Sequence, residues 1–197
     1  IKANQESNKF YTLPFFYSLM KRGQLVINLA NKITKILKPF CKKIEIVGSI
    51  RRRKLNPRDT EILNKTKISV SKTFKDNKKK VSDIDIVLIP KNKAKLEEKM
   101  RKLGKFVQGG EHESTWRIGG IKVELYYTNE EEFGAALLAY SGKKGSNIGL
   151  RIIARLKGFK LTQHGLFIRK NEKRIAGKTE REIYSALNRP YKEPWER

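Results

Sequence analysis

The sequence predicts an α+β fold: a body built on a mixed sheet with helices, followed by a smaller α/β unit. Three observations carry this. Strand patterns at 44–47 and 81–89 flank a Gly48-Ser49 turn and a long basic stretch. A hairpin pattern occupies 114–127 around Gly119-Gly120. Near Thr128 the character shifts to shorter helices and strands, so the chain divides into an extension (1–22), a body (23–128) and a C-terminal unit (129–197).

The elements follow in order. Residues 1–22 are polar and then aromatic-rich, and Pro14 interrupts any continuous helix. Those aromatics either pack on the body or dock on a partner. Residues 23–38 read as an amphipathic helix, in which Leu25, Ile27, Leu29, Ile33, Ile36 and Leu37 include a stripe at helical spacing, with Pro39 beyond its end. Residues 92–103 predict a helix, 106–108 a strand, and 114–127 two strands joined at Gly119-Gly120. Residues 130–140 predict a helix with Glu130, Glu131 and Glu132 in its first turn, where the helix dipole favours acids. Residues 141–145 break it, and 146–157 form the next helix. A small sheet (161–168 and 174–175) and a helix starting at Thr179 complete the unit.

The formal net charge is +25, from 45 Lys and Arg against 20 Asp and Glu, which implies a polyanionic partner such as nucleic acid. By composition alone a ribosomal or chromatin-type protein fits equally well. The absence of a long apolar run speaks against a membrane partner. The single cysteine, Cys41, rules out an internal disulfide framework and fits a reducing, intracellular compartment. Residues 51–80 hold twelve Lys and Arg and three acids. This stretch is either a solvated insertion or a cationic arm that tracks phosphates, with Lys72, Lys78, Lys79 and Lys80 as contacts. Residues 67–74 alternate like a strand, so both a basic hairpin and a loop are open.

Asp83 and Asp85 are two apart on a strand and so share one face, while Ile84 and Ile86 turn to the core. Two neighbouring carboxylates repel unless a cation lies between them. A divalent metal is the economical explanation, and Mg²⁺ suits hard oxygen ligands. The alternative is an acidic, solvent-facing strand. On the second hairpin arm Lys122, Glu124 and Tyr126 share a face, and Glu124 joins the pair if the two strands are neighbours. His112 and His164 lack the spacing of a metal pair and receive no chemistry.

The order of these features, together with a downstream series, resembles the family X DNA polymerases of the polymerase-beta nucleotidyltransferase superfamily. The matching residues are Gly48-Ser49-Ile50-Arg51-Arg52, Asp83-Ile84-Asp85, Val123-Glu124-Leu125, Glu132-Phe133-Gly134, Tyr140-Ser141-Gly142 and Asn147 with Arg151. Gly165-Leu166-Phe167, the series from Ile175 to Leu187, and Pro190-Tyr191 with Pro194 extend the likeness to the C-terminus. It implies a polymerase-beta-like palm followed by a small α/β thumb.

The resemblance also implies a DNA-directed DNA polymerase. Such an enzyme transfers a nucleotide from a nucleoside triphosphate to a primer 3′-hydroxyl, in gap or primer filling during repair or replication. Asp83, Asp85 and Glu124 would hold two Mg²⁺ ions, with Mn²⁺ able to substitute. Gly48, Ser49, Arg52, Ser82, Tyr140, Ser141, Gly142 and Asn147 would bind the nucleotide. Lys122 and Arg151 would meet DNA, and Lys122 would also orient Glu124. Arg51 and Arg53 are assigned to surface charge. The partners are DNA and nucleoside triphosphates, and the expected state is a monomer.

Three departures from the family pattern bear on mechanism. Glu124 stands where the family has Asp, residues 53–82 replace a short turn, and few residues precede the palm. The last implies a minimal palm–thumb form. Ala139 is small where many members place an aromatic, which predicts weak exclusion of ribonucleotides. Two alternatives stand: an end-tailing or ribonucleotide-tolerant transferase, and a catalytically weakened nucleic-acid-binding or assembly protein.

Overall fold

A computed structural model describes residues 22–52 and 83–197 of the 197-residue chain. The N-terminal aromatics, Ser82 and the basic stretch with Lys72, Lys78, Lys79 and Lys80 lie outside the described residues.

Helix α1 (Arg22–Leu37) buries Val26, Ala30, Ile33 and Leu37, a stripe at helical spacing. Of the expected stripe, Ile33 and Leu37 are buried and Leu29 packs partly buried against the same core. Val26 and Ala30 fill the buried positions nearest the helix start, and Ile36 is only partly buried. Pro39 lies in a 3₁₀ turn after the helix, and strand β1 (Cys41–Ile46) follows. Cys41 is buried, and burial pushes its thiol up to about 11, so it behaves as a packed apolar residue.

Gly48 opens the short helix α2 (Gly48–Arg52). Strand β2 (Asp83–Pro90) leads to helix α3 (Lys93–Arg101), which Asn92 caps through Oδ1 accepting from the Lys95 amide. Strands β3 (Lys105–Gly109), β4 (Glu113–Ile118) and β5 (Ile121–Tyr127) complete a sheet in the order β1-β2-β5-β4-β3. The β4–β5 turn has positive φ at both Gly119 (55°) and Gly120 (80°), the left-handed pair a two-residue hairpin requires. Strands β2 and β5 run parallel, and the other pairs are antiparallel.

One sheet face carries the main core. Ile84, Ile86 and Leu88 of β2 and Val123 and Leu125 of β5 meet α1 and the Leu96 and Met100 side chains of α3. Trp116 is fully buried there, and its indole N–H donates to Ser114 Oγ at 2.8 Å, which removes the cost of burying that donor.

Helix α4 (Phe133–Ser141) lies across the other sheet face. Every residue from Phe133 to Leu138 is buried, and a helix apolar on all sides must be enclosed on all sides. Phe133, Ala136 and Leu137 pack with Val47, Val87 and Ile89. Ala135 and Leu138 pack with helix α5 (Lys144–Leu156), strands β7 (Gly165–Ile168) and β8 (Arg174–Ala176), and helix α6 (Glu180–Ala186). Strand β6 (Phe159–Thr162) joins β7 and β8 in a three-stranded antiparallel sheet.

Two local expectations need correction. Glu130, Glu131 and Glu132 precede α4 and do not occupy its first turn. The amides of Gly134 and Ala135 donate instead to the carbonyls of Lys178 and Gly177, so the α6 approach loop caps α4. The approach is so close that a side chain on Gly134 would meet the Thr179 backbone. The break between α4 and α5 is also shorter than 141–145, because α5 already begins at Lys144.

Candidate active site

The parallel register of β2 and β5 sets Asp83 opposite Lys122 and Asp85 opposite Glu124. Residues of equal parity share a face, so Asp83, Asp85, Lys122, Glu124 and Tyr126 project from the sheet side that α4 partly covers. The neighbour relation needed to bring Glu124 beside the aspartate pair is therefore present. Lys122 Nζ bonds Glu124 Oε1 at 2.8 Å, and that hydrogen bond raises the ammonium pKa.

Burial pushes the Asp85 carboxyl up to about 6; the charges of Glu124 and Asp83 push the same way, against Lys122 and Arg52. Gly48 enters α2 with φ of 65°, and a side chain there would run into the Asp85 carboxylate. Glycine thus meets two demands at once, a left-handed turn and room for the acid. Ser49 is half-buried in the same helix.

The nucleotide candidates of α4 come next to this face. Tyr140 stacks on Tyr126, with centroids 3.7 Å apart and planes at 15°. Burial, followed by the Asp85 and Glu124 charges, holds the Tyr126 phenol far above its ordinary range. Ser141 is fully buried: Arg51 donates to its Oγ and Arg52 to its carbonyl, both at 2.8 Å. Asn147 donates to the Ala139 carbonyl at 2.8 Å, and its amide occupies the space beside Gly142. Ala139, Asn147 and Arg151 line one small recess with Leu161 and Thr162.

The assignment of Arg51 to surface charge is wrong. Its guanidinium forms a two-pronged pair with Glu180, at 2.9 and 2.7 Å, and is mostly buried. Glu180 also accepts from Arg197 at 2.8 Å, whose side chain is completely enclosed. Burial alone would raise the Glu180 carboxyl; bonds from Arg51 and Arg197 reverse that and leave it lowered. Sequence spacing gave no signal for this cluster, since its members come from α2, α6 and the C-terminal turn. The structure likewise brings the rings of His112 and His164 to 6.1 Å, with His164 Nδ1 bonded to Glu132 at 2.9 Å.

A metal would find hard oxygen donors on three side chains of one sheet face, a glycine that leaves Asp85 open, and a carboxylate repulsion to relieve. The donor set fits a divalent cation. Among the described residues no group of three or more His, Cys, Asp or Glu side chains is drawn close enough to hold a metal ion as the side chains stand, so binding would require the three carboxylates to turn toward one another.

A five-stranded mixed sheet bearing this acidic face, followed by a small antiparallel sheet with helices, is the arrangement of a nucleotidyltransferase palm and thumb. Residues 136–197 match the family described as DNA polymerase beta thumb. Over 73 residues the chain is 41% identical to DNA polymerase IV of Saccharomyces cerevisiae, a match covering 37% of this chain and 12% of the yeast protein. Both matches are to family X DNA polymerases, so the C-terminal unit of the chain is similar to the thumb of that family, and the match spans about an eighth of the yeast protein's length.

Proposed function

We propose that the chain is a DNA-directed DNA polymerase that adds nucleotides to a primer 3′-hydroxyl, with DNA and nucleoside triphosphates as substrates. The observation that carries this is the β2–β5 register, which gathers Asp83, Asp85 and Glu124 on one face beside Gly48 and Arg52. Phosphoryl transfer asks mainly for positioning and charge neutralisation. Divalent cations held by Asp83, Asp85 and Glu124, Mg²⁺ in the first place, would supply that neutralisation and lower the pKa of the primer hydroxyl. The lysine bond on Glu124 fixes the longer side chain that stands where the family has Asp. Arg52 and Ser49 border the space for the triphosphate. Arg151, Asn147 and the residues around Tyr140 border the space for base, sugar and template.

Primer extension with each nucleotide set, under Mg²⁺ or Mn²⁺, tests the proposal. Asp85→Ala is expected to abolish incorporation while DNA binding persists; turnover retained by this variant would refute the assignment. Extension without a template would favour the end-tailing reading. No incorporation, with salt-sensitive DNA binding intact, would favour the binding or assembly reading. The sugar pocket has its own test. Ala139 offers no aromatic wall and Tyr140 is pinned against Tyr126. Comparable efficiencies for dATP and ATP are expected, and a deoxynucleotide preference above about a thousandfold, some 4 kcal/mol, would contradict this.

A further inference from the structure

At the C-terminal end of α6 lies an open cleft of about 380 Å³, lined by Arg181, Tyr184, Ser185, Asn188, Arg189, Pro190 and Tyr191. It contains none of the residues assigned above to metal, nucleotide or DNA. One wall is aromatic and firmly held. Tyr184 and Tyr191 meet edge to face at 5.4 Å. The Tyr191 hydroxyl donates to Glu180 and accepts from Arg197. The Arg181 guanidinium lies over the Tyr191 ring at 4.1 Å, keeps a bond to Glu193, and leaves most of its surface exposed. A planar cation stacked on a ring offers its outer face to another flat π-system, such as a nucleobase.

The rest of the lining is the end of α6 and the residues just beyond it. The Asn188 amide donates to the Ser185 carbonyl and the Arg189 amide to the Tyr184 carbonyl, the paired closure that ends a helix in a left-handed residue. Asn188 has φ of 50° there. Glycine would satisfy that conformation at the least cost, yet this chain carries an amide side chain. Among the described residues, no acid pairs with Arg189, and the side chains of Asn188 and Ser185 make no hydrogen bond. The backbone of this stretch is therefore fixed while its polar side chains remain available. The Arg189 guanidinium provides for a phosphate, and the amide and hydroxyl for a base or sugar edge. The volume is within the range of small-ligand sites.

We propose that this cleft is a second nucleotide-binding site, taking one nucleotide unit with its base on Arg181 and its phosphate toward Arg189. The unit comes either from a free mononucleotide or from a single-stranded tail of DNA. The proposal stands independently of polymerase activity.

The test is binding by the full chain in EDTA, which removes metal-dependent binding at the carboxylate face. The probes are 5′-AMP, inorganic phosphate and a short oligothymidylate. Arg189→Ala is expected to weaken nucleotide binding about tenfold, and Asn188→Gly to weaken it severalfold with an unchanged or higher melting temperature. Loss in the 5′-AMP arm identifies a free nucleotide as the occupant, and loss in the oligonucleotide arm alone identifies a strand. Wild-type affinity of both variants in both arms, or competition by inorganic phosphate equal to that of 5′-AMP, would overturn the proposal.

Discussion

Asp85 works against the stability of the metal-free fold. Its carboxyl pKa is about 6 when folded, against an ordinary value of 3.8, so the folded state holds the proton more tightly than the unfolded one. Unfolding free energy therefore falls as pH rises from about 4 to about 6. By pH 7 this group costs the fold roughly 2–3 kcal/mol. Asp85→Asn should recover most of that in metal-free buffer at pH 7, and the advantage should vanish near pH 4. Urea melts of both proteins across that range provide the measurement; a variant no more stable at pH 7 would show that the acid is not under strain. Addition of Mg²⁺ at pH 7 should stabilise the wild type and leave Asp85→Asn with a smaller gain.

At the scale of single elements, α2 is held at both ends. Gly48 starts it in a left-handed conformation against Asp85, and Arg51 and Arg52 tie its last turn to Ser141. Gly119 offers a comparison, since it too has positive φ but open space where a side chain would go. Gly119→Ala should cost about 1 kcal/mol, the backbone component alone. Gly48→Ala should cost roughly 2–4 kcal/mol, because it adds a collision with the carboxylate. Equal losses in denaturant melts would mean that Asp85 turns aside freely and that Gly48 is there for the turn only. This element also shows what a pattern of residues can carry. Gly-Ser followed by arginines was legible as a turn entering a helix. That one arginine faces inward was not, because its partner lies 129 residues on.

Across the whole molecule, Glu180 is the point where separate parts of the chain converge. It receives Arg51 from α2, Arg197 from the C-terminal turn and the Tyr191 hydroxyl. All three charged groups are largely or wholly buried. Removing the acid leaves two guanidinium groups without a counter-charge, so Glu180→Gln should destabilise by about 3–5 kcal/mol. Because the Glu180 carboxyl is lowered on folding, its contribution is present above the ordinary glutamate range. It is lost as pH falls through the lowered folded value. A melt showing less than about 1 kcal/mol of loss at pH 7 would mean that water replaces the acid and that the cluster is not a structural tie.

What the sequence determined by itself was local and periodic. Strand parity put Asp83 and Asp85 on one face, paired glycines set the hairpin, and residue order marked the family resemblance. Only the tertiary structure decided that β5 lies parallel beside β2, that α4 is enclosed on both sides, and that Arg51 meets Glu180. The physical reason is range. Periods of 2 and 3.6 residues are written into neighbouring side chains. A parallel strand pair or a buried ion cluster joins residues with no fixed spacing, selected by burial and by the need to satisfy every charge taken out of water.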